Sequence, residues 1–340
     1  MSWRSALTSR FPALAHLPPG CYVVGGAIRD LLLGREPLDA DIACNDPLAA
    51  AHTVSDRVIR LGGEEHLRAY RVVLPEHVYD FAELLEHDIG KDLARRDFTV
   101  NAMAVDLAKD VLLDPHGGQR DIERRVVRMV DASNFDDDPL RMLKAVRMAI
   151  VYDFAIDPET LEAIRARAPR ILESARERVT YELSVIFSAN RFRRAVELLR
   201  ATGLDVPLAL RTSDFHADDV SLTGAYALLV DDPPREAAAM KRLVDHHDRI
   251  ALYDAGEELA RQLPAVLRAL GRNDALDFPD FSTRALLTGE DITRLTDLAP
   301  GKELGALKRA LLEAQIRGEI KTVEQAEAFV RHNRRRNDNN

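Results

Sequence analysis

The apolar periodicity of the chain changes once, near Asp136, and that change limits the folds open to it. Before it, short apolar runs that alternate like strands are separated by glycine and proline turns; after it, apolar residues recur three and four apart. "CYVV" (21–24) reads as a strand, followed by a glycine turn and the helix "AIRDLLLG", which stops at Gly34. "DADIAC" (39–44) alternates as a strand, and "PLAAAHTVSDRVIRLGG" (47–63) reads as a helix closed by Gly62-Gly63. "YRVVL" and "VYDFAELL" are expected as two strands joined by the turn "PEH". "TVNAMAVDL" is expected to run from helix into strand, and "VLLDPHGG" from strand into turn. Past Asp136, "DPLRMLKAVRMAIVY", "PETLEAIRARAPRIL" and "ERVTYELSVIFSA" carry helical spacing. The stretch 190–330 stays helical, broken by a polar loop at 212–220 and by Pro233-Pro234. The fold class this predicts is α+β, a small sheet-containing head followed by an all-helical remainder.

At 340 residues the chain is expected to form two or three compact units. Its 46% hydrophobic and 30% charged residues suit a core-forming protein, and no apolar run reaches the length of a membrane span. The N-terminal residues lack the apolar stretch of a secretory signal, and two cysteines, Cys21 and Cys44, are too few for a disulfide scaffold. A cytoplasmic protein without membrane partners is the expectation. A net charge of -9 excludes whole-surface attraction to nucleic acid, but residues 165–200 are strongly basic and can track a phosphate backbone. The tail "NRRRNDNN" is expected to be disordered.

Asp39 and Asp41 project from the same face of their strand, where two carboxylates repel unless a cation lies between them. An open, oxygen-only set suits Mg²⁺, which takes its remaining ligands from water and substrate phosphates. Asp80, on a later strand, supplies a third carboxylate, and three can hold two metals about 3.5–4 Å apart for phosphoryl transfer. Taken singly, an Asp-x-Asp pair is more often a solvated strand end. Here Gly25-Gly26 follows a strand and opens a helix, which aims backbone N–H groups at a phosphate, and Arg29 lies one turn further on. "LARRDFTVNAMAVD" adds Arg95, Arg96, Asp97 and Asn101; Arg96 and Asp97 suit a triphosphate and a ribose hydroxyl, or else a capped helix with surface arginines. Asp138 and Arg141, three apart on a helix, share a face and can bind one flat base, or form an intrahelical ion pair. Aspartate accepts from an exocyclic amine, and arginine donates to a ring nitrogen or carbonyl of cytosine or adenine.

These segments together resemble the class II tRNA nucleotidyltransferase and bacterial poly(A) polymerase family, within the polymerase-β-like nucleotidyltransferases. The resemblance runs through "VVGGAIRDLLLG", "LDADIA", "LARRDFTVNAMAVD", "LLDPHGGQRDIERRVVR", "DDDPLRMLKAVRMA" and "ARERVTYEL", and more loosely through "LLTGEDITRL" and the helical tail. It implies a nucleotidyltransferase head (1–134), a neck carrying the base-reading helix (135–190), a tRNA-binding body and tail (191–330), and a short terminal extension (331–340). It implies Asp39 and Asp41 as metal ligands and Gly26, Arg29 and Arg96 as nucleotide contacts, with Asp138 and Arg141 as the template that reads the base. Asp137 stands where the family usually has glutamate, and Lys144 where it has arginine, so Lys144 is expected to contact phosphate. Glu177 and Arg178 match the neck motif, where support of the base-reading helix is the expected role.

Family members add CCA, CC, A alone or poly(A). Those that add A carry a flexible loop between the third carboxylate and the "RRD" segment, and here only the 14 residues 81–94 separate Asp80 from Arg95. The expected activity is therefore CC addition to tRNA from CTP, with Mg²⁺ as cofactor, pyrophosphate as product and a separate A-adding enzyme acting afterwards. Full CCA addition, or A addition from ATP, is the alternative within the family. A catalytically silent RNA-binding protein would have no use for Asp39 and Asp41, and a small-molecule transferase none for the basic helices. "VDHHDRI" places His246, His247 and Asp248 together without the partner ligands of a metal-dependent phosphohydrolase, and a surface histidine pair on a helix is expected.

Overall fold

A computed structural model describes residues 2–61, 68–230 and 233–337 of the chain. Seven strands form one mixed sheet: β1 Tyr22–Val24, β2 Asp39–Cys44, β3 Ile59–Leu61, β4 Ala69–Val73, β5 Val78–Glu83, β6 Ala104–Asp106 and β7 Val111–Leu113. Their spatial order is β3-β4-β5-β2-β1-β6-β7. Only β2 and β5 run parallel, with Asp41 opposite Asp80; every other neighbouring pair is antiparallel. Register therefore decides which side chains share a face. Asp39, Asp41 and Ala43 lie on one face of β2, and Ala40, Ile42 and Cys44 on the other, buried face. Beside the aspartates, Val24, Ala43, Leu84, Leu93 and Ala104 form a buried cluster. Leu93 belongs to the helix Ile89–Ala94, and the cluster seats that helix beside the carboxylates.

Two compact units divide the chain, residues 1–189 with 194–209, and residues 190–193 with 210–340. In the first, the helices Leu140–Val151 and Arg176–Phe187 pack side by side, burying Leu143, Val146 and Ile150 of one and Leu183, Ile186 and Phe187 of the other. The neck segment 135–189 thus shares a compact unit with the head. The second unit is helical, with a terminal cluster of Leu287, Ile292, Leu311, Ala314, Ile320, Ala326 and Val330. No helix among the described residues is long and apolar enough to cross a membrane.

Three expectations need correction. The long helix over 47–63 is instead the short helix Pro47–His52 followed by edge strand β3, and Gly62-Gly63 lies outside the described residues. Ile59, 54% exposed, is held by pairing with Arg71 rather than by a buried helical face. Asp138 is not on a helix: its backbone is extended (φ −142°, ψ 93°) between the short helix Asn134–Asp137 and the helix starting at Leu140. The helix Val323–Asn337 runs through residues expected to be a disordered tail, Asn333 donating to the Phe329 carbonyl and Arg334 pairing with Glu303; residues 338–340 lie outside the described residues.

Candidate active site

Asp41 stands at the centre of the site. It follows from the register that Asp80 of β5 is its direct neighbour across the parallel pair, and that Asp39 is two residues away on the same face. Burial pushes the Asp41 carboxyl up to about 6; Asp39 and Asp80 push in the same direction, while Arg96 and Arg29 oppose them. Gly25 closes the site from the other side. Its φ of +76° is left-handed, and a Cβ there would lie 2.9 Å from Arg96 Nη1 and 3.5 Å from Asp41 Oδ2. The turn after β1, Arg96 and Asp41 therefore meet at one place that admits only a glycine backbone.

Arg96 is aimed there by Asp92, a 1%-exposed carboxylate on the helix Ile89–Ala94. Asp92 Oδ1 accepts from Arg95 at 2.7 Å and Asp92 Oδ2 accepts from Arg96 Nη2 at 3.1 Å. Arg96 Nε is buried without a hydrogen-bond partner. Nη1 is the nitrogen at the Gly25 turn, and a guanidinium presented beside a carboxylate pair is suited to an oxyanion.

Arg29 is turned into the protein. Nε donates to Asp30 at 2.9 Å, Nη1 to Asn101 Oδ1 at 2.6 Å and Nη2 to Tyr152 Oη at 2.5 Å, with the guanidinium carbon 4.4 Å from the Tyr152 ring centroid. Asn101 passes the order on, its Nδ2 donating to Asp97 Oδ1 at 3.0 Å. Asp97 also accepts from the Phe98 N–H at 2.8 Å, just ahead of the single 3-10 turn Thr99–Asn101. Gly26 begins the helix Gly26–Leu32 and lies against Arg29, whose Nη2 would be 3.4 Å from a Cβ there.

Asp138 and Arg141 do not pair with each other. Asp138 is gripped from the neighbouring helix by Arg178, whose Nη2 donates to Oδ2 at 3.0 Å. Arg141 Nη1 donates to the Arg95 carbonyl at 2.8 Å and the Asn134 carbonyl at 3.0 Å, which ties it to the arginine segment of the site. Lys144 and Arg147 continue the same helical face, next to Glu182, whose carboxyl is raised first by burial and opposed by Arg147, Lys144 and Arg178. Glu177 is exposed.

Four residues of this arrangement escaped the sequence reading: Arg71, Asp92, Tyr152 and Glu182. Asp92 had a signal, three and four residues before Arg95 and Arg96 on a helix. Arg71 and Tyr152 had none, because strand register and chain crossing bring them in. Arg71 bonds Asp80 with two parallel contacts, Nε to Oδ1 at 2.7 Å and Nη2 to Oδ2 at 2.6 Å. The expected set of three free carboxylates is therefore two. No group of three or more His, Cys, Asp or Glu side chains among the described residues is arranged to hold a metal. Asp39 and Asp41 alone still fit Mg²⁺, which is ordinarily bound through one or two carboxylates plus substrate phosphates.

The family described as "Poly A polymerase head domain" matches residues 21–83 and 67–128, and "Probable RNA and SrmB- binding site of polymerase A" matches residues 153–208. The A-adding tRNA nucleotidyltransferase of Deinococcus radiodurans is 30% identical, over 94% of this chain and 97% of the relative. The chain belongs to the tRNA nucleotidyltransferase and poly(A) polymerase family. It is a nucleotidyl-transferring enzyme. The CC-adding enzyme of Thermus thermophilus is 28% identical over 93% of this chain and 94% of its own length. The CC-adding enzyme of Synechocystis is 40% identical over 52% of this chain and 44% of its own length. The Bacillus stearothermophilus CCA-adding enzyme in complex with CTP shares the fold, with a TM-score of 0.73 at 24% identity and full coverage of both chains. Within this nucleotidyltransferase the head-domain match spans all seven strands, and Asp138, Arg141 and Lys144 fall between the two matched regions.

The histidine cluster is a turn between helices. His246 ends the helix Arg235–Asp245, Asp248 caps the next helix by accepting from the Ala251 N–H at 2.8 Å, and His247 pairs with Asp274 at 3.3 Å.

Proposed function

We propose that this nucleotidyltransferase adds CC, from CTP, to the 3′ end of tRNA. One observation carries the choice of CC. Of the 14 residues between Asp80 and Arg95, twelve belong to the end of β5, a single 3-10 turn (Leu85–His87) and the helix Ile89–Ala94, and the other two, Leu84 and Asp88, are the single residues that join them. Leu93 of that helix is locked in the core, so nothing remains to make the flexible loop expected of A-adding members. Relatives that carry the name CC-adding, over nearly the whole chain in Thermus thermophilus, support the same reading. A-addition is the second reading, favoured by the name of the Deinococcus radiodurans relative.

In this reading Asp39 and Asp41 hold Mg²⁺, which when bound neutralises charge on the departing pyrophosphate and lowers the pKa of the attacking 3′ hydroxyl. Arg96 takes the triphosphate with its guanidinium, whose Nη1 faces the Gly25 turn, while Gly25 keeps the wall of the site free of a side chain. Asp97 and Asn101 meet the ribose, oriented through Arg29, which acts by holding Asn101 and not by touching phosphate. Asp138 and Arg141 read the base from positions fixed by Arg178 and by the carbonyls of Arg95 and Asn134. Lys144 contacts phosphate, and the basic helices and the second unit hold tRNA. The test supplies Mg²⁺ and tRNAs ending at the discriminator base, at C and at CC, with CTP or ATP separately. CTP incorporation into the first two alone is expected; efficient A addition to the CC-ending tRNA would replace this reading with the second.

A further inference from the structure

Three adjacent strands place Asp41, Asp80 and Arg71 in one row across the sheet. Asp41 is the register partner of Asp80 on the parallel side, and Arg71 is its register partner on the antiparallel side. Directly opposed residues share a face, so the arginine extends the carboxylate row. Its grip is bidentate, at 2.7 Å and 2.6 Å, and both Asp80 oxygens are occupied. The Asp80 side chain is 23% exposed and that of Arg71 44%, which leaves the pair open to the site and not sealed in the core. Arg71 is also close enough for Asp39 and Asp41 to act on its charge.

We propose that Arg71 is a positioning residue that removes Asp80 from the metal-ligand set and sets how tightly Asp39 and Asp41 hold a divalent cation. The inference rests on the reading of Asp39 and Asp41 as the cation site. Three free carboxylates would bind a divalent ion tightly and hold it between turnovers. With Arg71 on Asp80, the pair is locally neutral and the ion meets two carboxylates, leaving its other positions for the triphosphate that arrives with it. Only a side chain with a planar fork can take both oxygens in this way, so lysine at this position would restore less of the effect.

The experiment is a Mn²⁺ titration of the nucleotide-free full chain, reading free Mn²⁺ by electron paramagnetic resonance, with thermal melts to show that each variant folds. Four proteins are compared: wild type, Arg71→Gln, Asp80→Asn and the double variant, a cycle that isolates the pair from its surroundings. Arg71→Gln frees Asp80 and is expected to tighten Mn²⁺ binding more than threefold. The double variant deletes a neutral pair and is expected to stay within threefold of wild type. No tightening in Arg71→Gln, or more than threefold weakening in the double variant, overturns the proposal, since it would mean that Asp80 is a ligand in the wild type. Arg71→Lys should fall between wild type and Arg71→Gln, and serves as the milder variant should the glutamine form unfold. Asp41→Asn separates the two levels of the argument: retained Mn²⁺ binding there would overturn the reading of the cation site itself.

Discussion

Asp41 and Asp138 are both partly buried aspartates of the same compact unit, and they are held in opposite ways. Asp138 meets a guanidinium from the neighbouring helix, and its carboxylate is already satisfied before any ligand arrives. Asp41 has carboxylates as neighbours on two sides, and its carboxyl is driven up to about 6 by burial and by Asp39 and Asp80. The first is a positioned group, whose orientation is the useful property. The second stores an unfavourable charge that Arg96 and Arg29 offset only in part and that a cation would relieve. In the proposed function the difference separates the part of the site that recognises from the part that does chemistry.

The comparison can be broken at several points. Asp41→Ala should lower nucleotide transfer by on the order of 10³-fold or more, while tRNA retention in a filter assay stays near wild type. Loss of tRNA binding in step with activity would move Asp41 from chemistry to recognition. Arg96→Ala should cost roughly 10²-fold in kcat/KM for CTP, and an unchanged kcat/KM would contradict its role as a triphosphate contact. Arg178→Ala acts on the other aspartate: releasing an ion pair of about 1 kcal/mol should blunt the preference between CTP and ATP about fivefold and leave the maximal rate nearly intact. The smallest effect is expected at His247, where His247→Ala should lower stability by less than about 1 kcal/mol and leave transfer unchanged. A large loss of activity there would show a site that the pairing with Asp274 does not explain.

The parts of this molecule that sequence made legible are those settled by near neighbours. β2 alternates over six residues, so the common face of Asp39 and Asp41 follows from the pleat alone. The helix after Gly25-Gly26 has a start and a stop within a few residues, and both are where they were expected. After Pro47 only "LAAAH" favours a helix locally; the β-branched Val58 and Ile59 suit a strand, and β3 exists through pairing with β4. Spacing alone puts Asp138 on the helix of Arg141. The chain bends there instead, and Leu140 N–H bonds the Asp138 side chain at 3.3 Å. Arg71 was invisible for the same reason as β3, since only the register of three strands brings it to Asp80. Arg29 is expected as a nucleotide contact from its position alone, whereas its bond to Tyr152, 123 residues away, has no signal in the sequence.

The sign of the Asp41 effect gives the most direct test. A carboxyl whose folded value lies near 6 binds its proton more tightly in the native state than in the unfolded chain. Stability therefore falls as pH rises from about 4 to about 6, and ionised Asp41 costs up to about 3 kcal/mol above that range. Thermal and denaturant unfolding of wild type and Asp41→Asn should be compared at pH 4 and pH 7.5, with chelator present to remove divalent ions. The expected result is near-equal stability at pH 4 and a more stable, inactive Asp41→Asn protein at pH 7.5. Equal or lower stability of that variant at pH 7.5 would contradict the account, because Asp41 would then be a structural carboxylate and not one held charged for a cation.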